Sequence, residues 1–190
     1  MQVTLEHITP NAEEFIGKMA AICYDAKLDT GSCIRRAAKC ADDGHLATLR
    51  FAIAVFNIKG ISRICANQLV RSKHLDFLQR SQRYCKESEA EFIIPKGLDQ
   101  YQEVCFQTHY METSSLYREL INLGVKKEDA RFVLPGAIET ELNVVGNLQA
   151  WKDFIKLRAD KHAQWEIRKV ATIINNILAA ECPNIFKEIE

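Results

Sequence analysis

Two short segments of the chain concentrate side chains that could bind a phosphate group and an aromatic ring. The first, RSKHLDFLQRSQRY at 71–84, combines arginine, lysine and histidine with hydroxyl and amide groups. An arginine side chain offers a phosphate two parallel hydrogen-bond donors. This composition favours an anionic ligand that carries a ring, and a solvent-exposed basic face is the simpler alternative.

Positive charge is concentrated in this region although the chain as a whole is neutral. The 190 residues include 25 Lys and Arg against 25 Asp and Glu, yet between positions 63 and 86 Asp76 is the only carboxylate. Such clustering favours an anionic partner. The neutral total argues against a dedicated nucleic-acid or membrane-surface protein, so the anion site is expected to be local. An RNA-binding module built on residues 63–86 is the alternative from another class.

The second segment, LRADKHAQWEI at 157–167, places His162 and Glu166 four residues apart. On one helical face they could form half of a metal site, but no further ligand has suitable spacing, so no metal is expected. A simpler interpretation is that they brace a helix. Trp151 and Trp165 are expected in the core or an interface. The chain contains no GxxxxGK[ST], GxGxxG or GxSxG motif, which argues against a P-loop, a dinucleotide fingerprint and a hydrolase elbow.

Helices and strands are predicted in a mixed order without a βαβ rhythm, which favours an α+β fold. Hydrophobic periodicity, caps and breakers predict helices at 11–26, 32–43, 62–71, 98–123, 127–134, 148–157 and 162–182. Strands are predicted at 46–58, 91–94 and 137–145. The length suits a single domain over 1–190.

Composition also bears on the compartment. No apolar run approaches the roughly 20 residues of a membrane helix, and no signal peptide is expected from the first residues. The seven cysteines include no CxxC pair, which predicts reduced, mostly buried thiols in a cytosolic protein.

The two segments together resemble the flavin-dependent thymidylate synthases, the ThyX family. LRADKHAQWEI is similar to the family's C-terminal signature, and 71–84 is similar to its R-H-R-x-x-S-x-N-E-x-S-x-R-Y motif. Arg71, Ser81, Arg83 and Tyr84 match that motif. Further similarities are Gly44-His45, Gln68, EFIIP and ARFVLP, in family order. The departures are Ser72 for His, Lys73 for Arg, Asp76 for Ser and Leu78-Gln79 for Asn-Glu.

This resemblance implies an α+β fold, with mixed helices packed on an antiparallel sheet, in a homotetramer whose active sites lie between subunits. The implied enzyme is a cytoplasmic methyltransferase, in a host cytoplasm if the source is viral. It would convert dUMP to dTMP with methylenetetrahydrofolate as carbon donor and NADPH-reduced FAD as hydride source. Two alternatives are a related enzyme that modifies C5 of a pyrimidine nucleotide, for example by hydroxymethylation, and an inactive nucleotide-binding member.

The resemblance also assigns site residues. Arg158 would face the uracil and act catalytically, while Ser81 would bind dUMP without acting as a nucleophile. The implied dUMP contacts are Gln68, Arg71, Gln79, Ser81, Gln82, Arg83, Arg131 and Arg158. The implied FAD contacts are His45, Arg71, Ser72, Lys73, His74, Gln79, Asn147, Gln149, Asp153 and His162.

Overall fold

The computed structural model describes residues 1–23 and 25–188, and within them the chain forms four strands and seven α-helices. The strands are Gln2–Ile8 (β1), Ile53–Ser62 (β2), Leu75–Gln79 (β3) and Glu139–Asn147 (β4). The helices are Ala12–Ala21 (α1), Thr30–Asp42 (α2), Arg63–Leu69 (α3), Gln100–Asn122 (α4), Lys127–Ala130 (α5), Leu148–Arg158 (α6) and Trp165–Glu181 (α7). Leu46–Phe51 and Arg131–Val133 are 3₁₀ turns.

The strands form one antiparallel sheet in the order β1-β2-β4-β3. Alternation along the central strands buries Phe56, Ile58, Leu142 and Val144 on one face. The opposite face carries polar or exposed side chains, such as Leu78, which is 76% exposed. Such alternation is typical of an antiparallel sheet packed on one side only. The α+β prediction, with helices on an antiparallel sheet, is therefore confirmed.

Helices α6 and α7 cover the buried face and complete the core. Trp151 of α6 is fully buried, donates from Nε1 to the Ala54 carbonyl over 3.1 Å and packs edge-on against Phe56, with ring centroids 5.0 Å apart. Its indole N–H thus has the partner that a buried tryptophan needs. Val170 and Ile174 of α7 are also fully buried in this core. Trp151 lies in the core as predicted, while Trp165, at the start of α7, is only half-buried.

A glycine brings β3 close to the centre of the sheet. Gly146 in β4 pairs with Leu75, and a Cβ at Gly146 would lie 2.2 Å from Leu75 Cδ2. The missing side chain leaves the space that Leu75 fills. Because β3 begins at Leu75, this contact also fixes where segment 71–74 joins the sheet.

Several predicted elements differ from the structure. Residues 46–51 form a 3₁₀ turn rather than the first half of a strand, and β2 begins only at Ile53. Residues 91–94 contribute one isolated bridge, between Phe92 and Ile138, instead of a strand. β1 and β3 were not predicted. The predicted helix 11–26 ends at Ala21, and Tyr24 within that range lies outside the described residues.

The remaining helix predictions agree with the structure to within a few residues at each end. Ser62 caps α3 as predicted, since its hydroxyl accepts from the Cys65 N–H over 3.0 Å. All seven cysteines lie in the described part of the chain and are free thiols, four of them buried. Among the described helices, none combines the length and apolar character that a membrane span requires.

Candidate functional site

Arg158 and Gln68 meet where α6 ends beside α3. The Arg158 guanidinium donates from Nη2 to the Gln68 carbonyl oxygen over 3.1 Å. Its Nε is shielded from solvent and has no hydrogen-bond partner. An unpartnered buried donor is costly in a folded protein, so a bound group that accepts from this guanidinium would remove a penalty.

The segment between α3 and β3 presents the basic residues of the 71–84 motif. Arg71, Lys73 and His74 are exposed, and among the described residues their side chains have no hydrogen-bond or ion-pair partner. His74 adopts a left-handed backbone conformation with φ 63°. Ser72 differs from these neighbours, because its hydroxyl oxygen is shielded from solvent and also lacks a partner. The segment thus combines free basic side chains with one shielded, unpaired hydroxyl.

The start of α6 adds amide groups near the same end of β3. Asn147 caps the helix, accepting from the Ala150 N–H over 2.9 Å. One turn on, Gln149 donates from Nε2 to the Asp153 carboxylate over 2.8 Å. Its Oε1 atom is shielded from solvent and has no partner. Asn147 and Gln149 are both residues that the sequence assigns to FAD.

The other end of β3 leads into a loop that closes on itself. The Ser81 carbonyl accepts from the Cys85 N–H over 2.9 Å, and the Ser81 hydroxyl accepts from the Arg83 N–H over 3.3 Å. Gln82, between Ser81 and Arg83, is buried. Gln79, the last residue of β3, donates from its side chain to the Thr140 hydroxyl over 3.3 Å. The loop therefore has a defined shape around Ser81.

Two arginines meet at this end through Glu128. Arg83 Nε lies 3.0 Å from the Glu128 carboxylate, and Arg131 donates from Nε to the Glu128 carbonyl over 3.0 Å. Both are predicted dUMP residues, and both retain terminal guanidinium nitrogens that could meet a phosphate. Glu128 itself was not predicted, because its position 45 residues after Arg83 gives no local sequence signal.

Further contacts hold the loop from its flanks. Arg63 donates to the Arg80 carbonyl over 3.4 Å, and Arg80 in turn lies 3.5 Å from the Glu87 carboxylate. Glu87 is buried, and burial raises the pKa of its carboxyl despite the nearby Arg80 and Arg63 charges. Burial also lowers the pKa of the Arg63 guanidinium. Part of the positive charge between 63 and 86 therefore supports the loop.

Many of the predicted residues fall into two groups separated by the length of β3. Leu75 pairs with Gly146 at one end, and Gln79 pairs with Leu142 at the other. A strand of this length spans about 14 Å. Segment 71–74 and Asn147 lie at the first end, whereas Ser81, Arg83 and Arg131 lie beyond the second.

His45 and His162, two of the three histidines assigned to FAD, lie in different elements of the fold. His45 is exposed and lines a cavity of about 340 Å³ with Arg36 and Cys40 of α2. His162 is also exposed, and its Nδ1 lies 2.8 Å from the Asp160 carboxylate. Hydrogen bonds from His162, first from its backbone N–H and then from its ring, lower the pKa of Asp160.

His162 and Glu166 do not lie on one helical face, as half of a metal site would require. Glu166 is buried in the first turn of α7 and binds Ser62, whereas His162 lies before that helix and faces solvent. The bracing interpretation therefore applies to Glu166, and no local pattern indicates Ser62, 104 residues away, as its partner. Among the described residues, no group of three or more His, Cys, Asp or Glu is arranged to hold a metal ion.

These features define a site of arginines, amides and unpaired buried polar atoms at the edges of an antiparallel sheet, which is suited to a nucleotide. Residues 4–184 match the family described as thymidylate synthase complementing protein. The chain belongs to this family.

Several curated relatives share the name flavin-dependent thymidylate synthase. A flavin-dependent thymidylate synthase of Pyrococcus furiosus is 38% identical over 185 residues, covering 90% of this chain and 76% of its own length. One of Mycolicibacterium gilvum is 37% identical over 78% of this chain and 66% of its own length. One of Thermococcus onnurineus is 42% identical over 67% of this chain, which corresponds to 55% of its own length. The matched region thus spans between about half and three quarters of these relatives.

Proposed function

We propose that this chain is a flavin-dependent thymidylate synthase that converts dUMP to dTMP. Membership of the family supports this function, and one observation of the site carries it. Among the described residues, three buried side-chain atoms lack a partner: Ser72 Oγ, Gln149 Oε1 and Arg158 Nε. All three belong to residues assigned from the sequence to FAD or dUMP. A bound flavin and nucleotide would give these atoms the partners that the chain alone does not supply.

The proposed reaction is a reductive methylation. Methylenetetrahydrofolate supplies a one-carbon unit that becomes bonded to C5 of dUMP in place of the C5 proton. A hydride reduces that carbon to a methyl group as its bond to the folate nitrogen breaks. FAD, when bound and reduced by NADPH, supplies the hydride, and tetrahydrofolate leaves. The chain has to bind two ring systems face to face, fix the nucleotide phosphate and stabilise charge on the uracil.

Arg158 has the geometry for the last of these tasks. Its Nη2 is anchored on the Gln68 carbonyl, so the orientation of the guanidinium plane is restricted while Nε and Nη1 remain for the ligand. A permanent positive charge fixed beside the uracil stabilises negative charge that develops as C5 becomes nucleophilic. Arginine does this without giving up a proton.

The phosphate of dUMP would bind at the Ser81 loop. Arg83 and Arg131 converge on Glu128, and Ser81 offers a hydroxyl beside them. Two guanidinium groups and a hydroxyl match the acceptor oxygens of a phosphate. Ser81 acts as a ligand rather than a nucleophile, since its hydroxyl accepts from the Arg83 N–H and no described base contacts it.

FAD would bind around the other end of β3. The residues present fit such a group, because Ser72 Oγ and Gln149 Oε1 are unpaired and Arg71, Lys73 and His74 are free there. Lysine at position 73 meets a phosphate as a point charge. The remaining proposed FAD contacts are His45, Gln79, Asn147, Asp153 and His162.

A homotetramer with active sites between subunits would unite the two groups of residues. The length of β3 separates Arg71 and Ser72 from Ser81 and Arg83. The Arg71 end of one copy facing the Ser81 end of another would place both around one nucleotide. We further propose that 1–190 acts as one domain and that the enzyme works in the cytoplasm.

The decisive experiment is a visible spectrum followed by product analysis. Purified protein is loaded with FAD and reduced anaerobically by NADPH, and dUMP and methylenetetrahydrofolate are then added. The mass of the nucleotide product is determined by mass spectrometry. Bleached flavin bands that return together with dTMP are expected. Another product mass would indicate a different C5 modification. Protein that binds no FAD and yields no modified nucleotide would overturn the proposal.

A further inference from the structure

The buried carboxylate of Glu166 joins two distant parts of the chain. It accepts from the Ser62 backbone N–H over 2.7 Å and from the Ser62 hydroxyl over 2.6 Å. Glu166 is 2% and Ser62 3% exposed, so both bonds are shielded from water. A charge in such a place is tolerated only when it is well hydrogen-bonded, which makes this pair a strong constraint between β2 and α7.

Ser62 also holds the start of α3. Its hydroxyl also accepts from the Cys65 N–H and so caps the helix. Five residues after the capped start of α3, the Gln68 carbonyl accepts from Arg158. The chain then returns from Arg158 to Glu166 within eight residues. Glu166, Ser62, α3, Gln68 and Arg158 therefore form a closed ring of contacts.

The electrostatics of Cys65 agree with this arrangement. Burial raises the pKa of its thiol, the Glu166 charge raises it further, and the Arg158 charge lowers it. Helix α3 is therefore close enough to both charges to feel each of them. Neither charge has to contact Cys65 for this to hold, since Coulomb interactions persist over several ångströms in a buried environment.

We propose that Glu166 is a positioning residue for the nucleotide site, which holds the start of α3 so that Gln68 keeps Arg158 oriented toward dUMP. This role rests on the proposed function. Without the carboxylate, the Ser62 N–H loses its acceptor and the start of α3 loses the two hydrogen bonds that tie it to α7. Arg158 would then keep its charge but lose its fixed direction. A glutamine at position 166 would still supply an acceptor and a donor for Ser62.

The chain offers a matched control for this proposal. Glu13 is also a buried carboxylate, and it accepts from the Asn184 backbone N–H and side-chain amide, both over 2.7 Å. It joins α1 to the C-terminal segment, and among the described residues no hydrogen bond or ion pair links it to α3 or Arg158. Removing either glutamate leaves a backbone N–H without its acceptor, but only Glu166 belongs to the ring around Arg158.

The test compares Glu166→Ala, Glu166→Gln and Glu13→Ala in the FAD-loaded enzyme. Melting temperature, the Kd of dUMP by calorimetry and kcat are measured for each. Glu166→Ala is expected to raise the Kd at least 10-fold and to lower kcat, while Glu166→Gln stays within about 3-fold of wild type. Glu13→Ala is expected to lower the melting temperature without changing the Kd. If Glu166→Ala fails to fold, Ser62→Ala replaces it, and the same direction of change is expected.

A double variant tests whether Glu166 acts through Arg158. In an Arg158→Lys background, Glu166→Ala is expected to add less than 3-fold to the loss in kcat, because residues that act as one unit are not additive. The inference would be overturned if the two losses in kcat were fully additive, or if Glu166→Ala only lowered the melting temperature. Either result would leave the proposed function intact. Wild-type protein that binds no dUMP would overturn the proposed function and this inference with it.

Discussion

The Arg158 guanidinium donates to the Gln68 carbonyl over 3.1 Å and links two residues 90 positions apart in the sequence. The bond uses Nη2 and leaves Nε buried without a partner. A guanidinium group that is held through one nitrogen, while another nitrogen lacks a partner, is suited to bind a ligand. This preorganisation is the form in which charged groups contribute most to catalysis.

Replacing Arg158 with lysine should abolish most turnover. An ammonium group has three donors, but they diverge from a single nitrogen and cannot reproduce the planar fork with which a guanidinium holds the Gln68 carbonyl and faces the uracil. Losing one preorganised donor costs roughly 100- to 1,000-fold in kcat, and we expect Arg158→Lys to fall in that range. The measurement is dTMP formation by the FAD-loaded enzyme. Arg168→Lys is the control, since Arg168 also donates to a backbone carbonyl, that of Lys161, but at an exposed site. Wild-type-like turnover of Arg158→Lys would reject the catalytic role of Arg158.

Removing Arg83 should weaken recognition of the phosphate specifically. Charged hydrogen bonds of this kind contribute about 1.5–3 kcal/mol, so Arg83→Ala should raise the KM for dUMP at least about 10-fold. Binding of deoxyuridine, which lacks the phosphate, should change little. Lys96→Ala removes an exposed positive charge elsewhere and should leave both ligands unaffected. Equal losses for the two ligands would place Arg83 away from the phosphate.

Glu87→Gln should stabilise the protein at neutral pH. Burial raises the pKa of the Glu87 carboxyl above its ordinary 4.5. Stability that is present below pH 4.5 is therefore lost as pH rises through the folded-state pKa, because the charged form is disfavoured when buried. The variant avoids this loss, so its Tm should exceed that of wild type by on the order of 2 °C at pH 7.5. At pH 4 the difference should vanish.

Thermal scans at pH 7.5 and pH 4 test whether Glu87→Gln raises the Tm, and Glu89→Gln serves as an exposed control. The control should match wild type at both, as surface changes usually do. A lower Tm of Glu87→Gln at pH 7.5 would mean that the ion pair with Arg80 outweighs the cost of burial.

Much of the fold follows from local sequence signals, whereas β3 does not. Ser62 and Gly124 mark helix ends because a hydroxyl cap and a positive φ are local requirements, and Gly124 has φ 84°. The five residues of β3 stand between basic residues and show only a brief alternation. They form a strand because β4 offers a partner and Gly146 leaves room for Leu75. That contact is tertiary, so no local pattern reports it.

The same distinction applies to the site. The motifs assign roles to Arg71, Ser81, Arg83 and Arg158, since each stands in a recognisable run of residues. Their supporting partners could not be found in this way. Glu128 and Glu166 lie 45 and 104 residues from the side chains that they hold. Which side chains meet over such separations is decided by the fold.

Replacing Gln149 with methionine should change stability in opposite directions without and with FAD. In the free protein, Gln149 Oε1 is a buried acceptor without a partner, which costs about 1–3 kcal/mol. Methionine has a similar shape and removes that acceptor, and Asp153 is exposed enough to be hydrated once its partner is gone. The flavin-free variant should therefore melt a few degrees above flavin-free wild type.

FAD should stabilise the same variant less than wild type. A ligand at 100 times its Kd stabilises a protein by about 2.7 kcal/mol, and losing one hydrogen bond to it should raise the Kd about 3- to 10-fold. Thermal scans with and without FAD measure both effects, and Gln107→Met on the exposed face of α4 should show neither. An unchanged response of Gln149→Met to FAD would remove Gln149 from the flavin site. A lower melting temperature of the flavin-free variant would mean that its bond to Asp153 matters more than the unpaired oxygen.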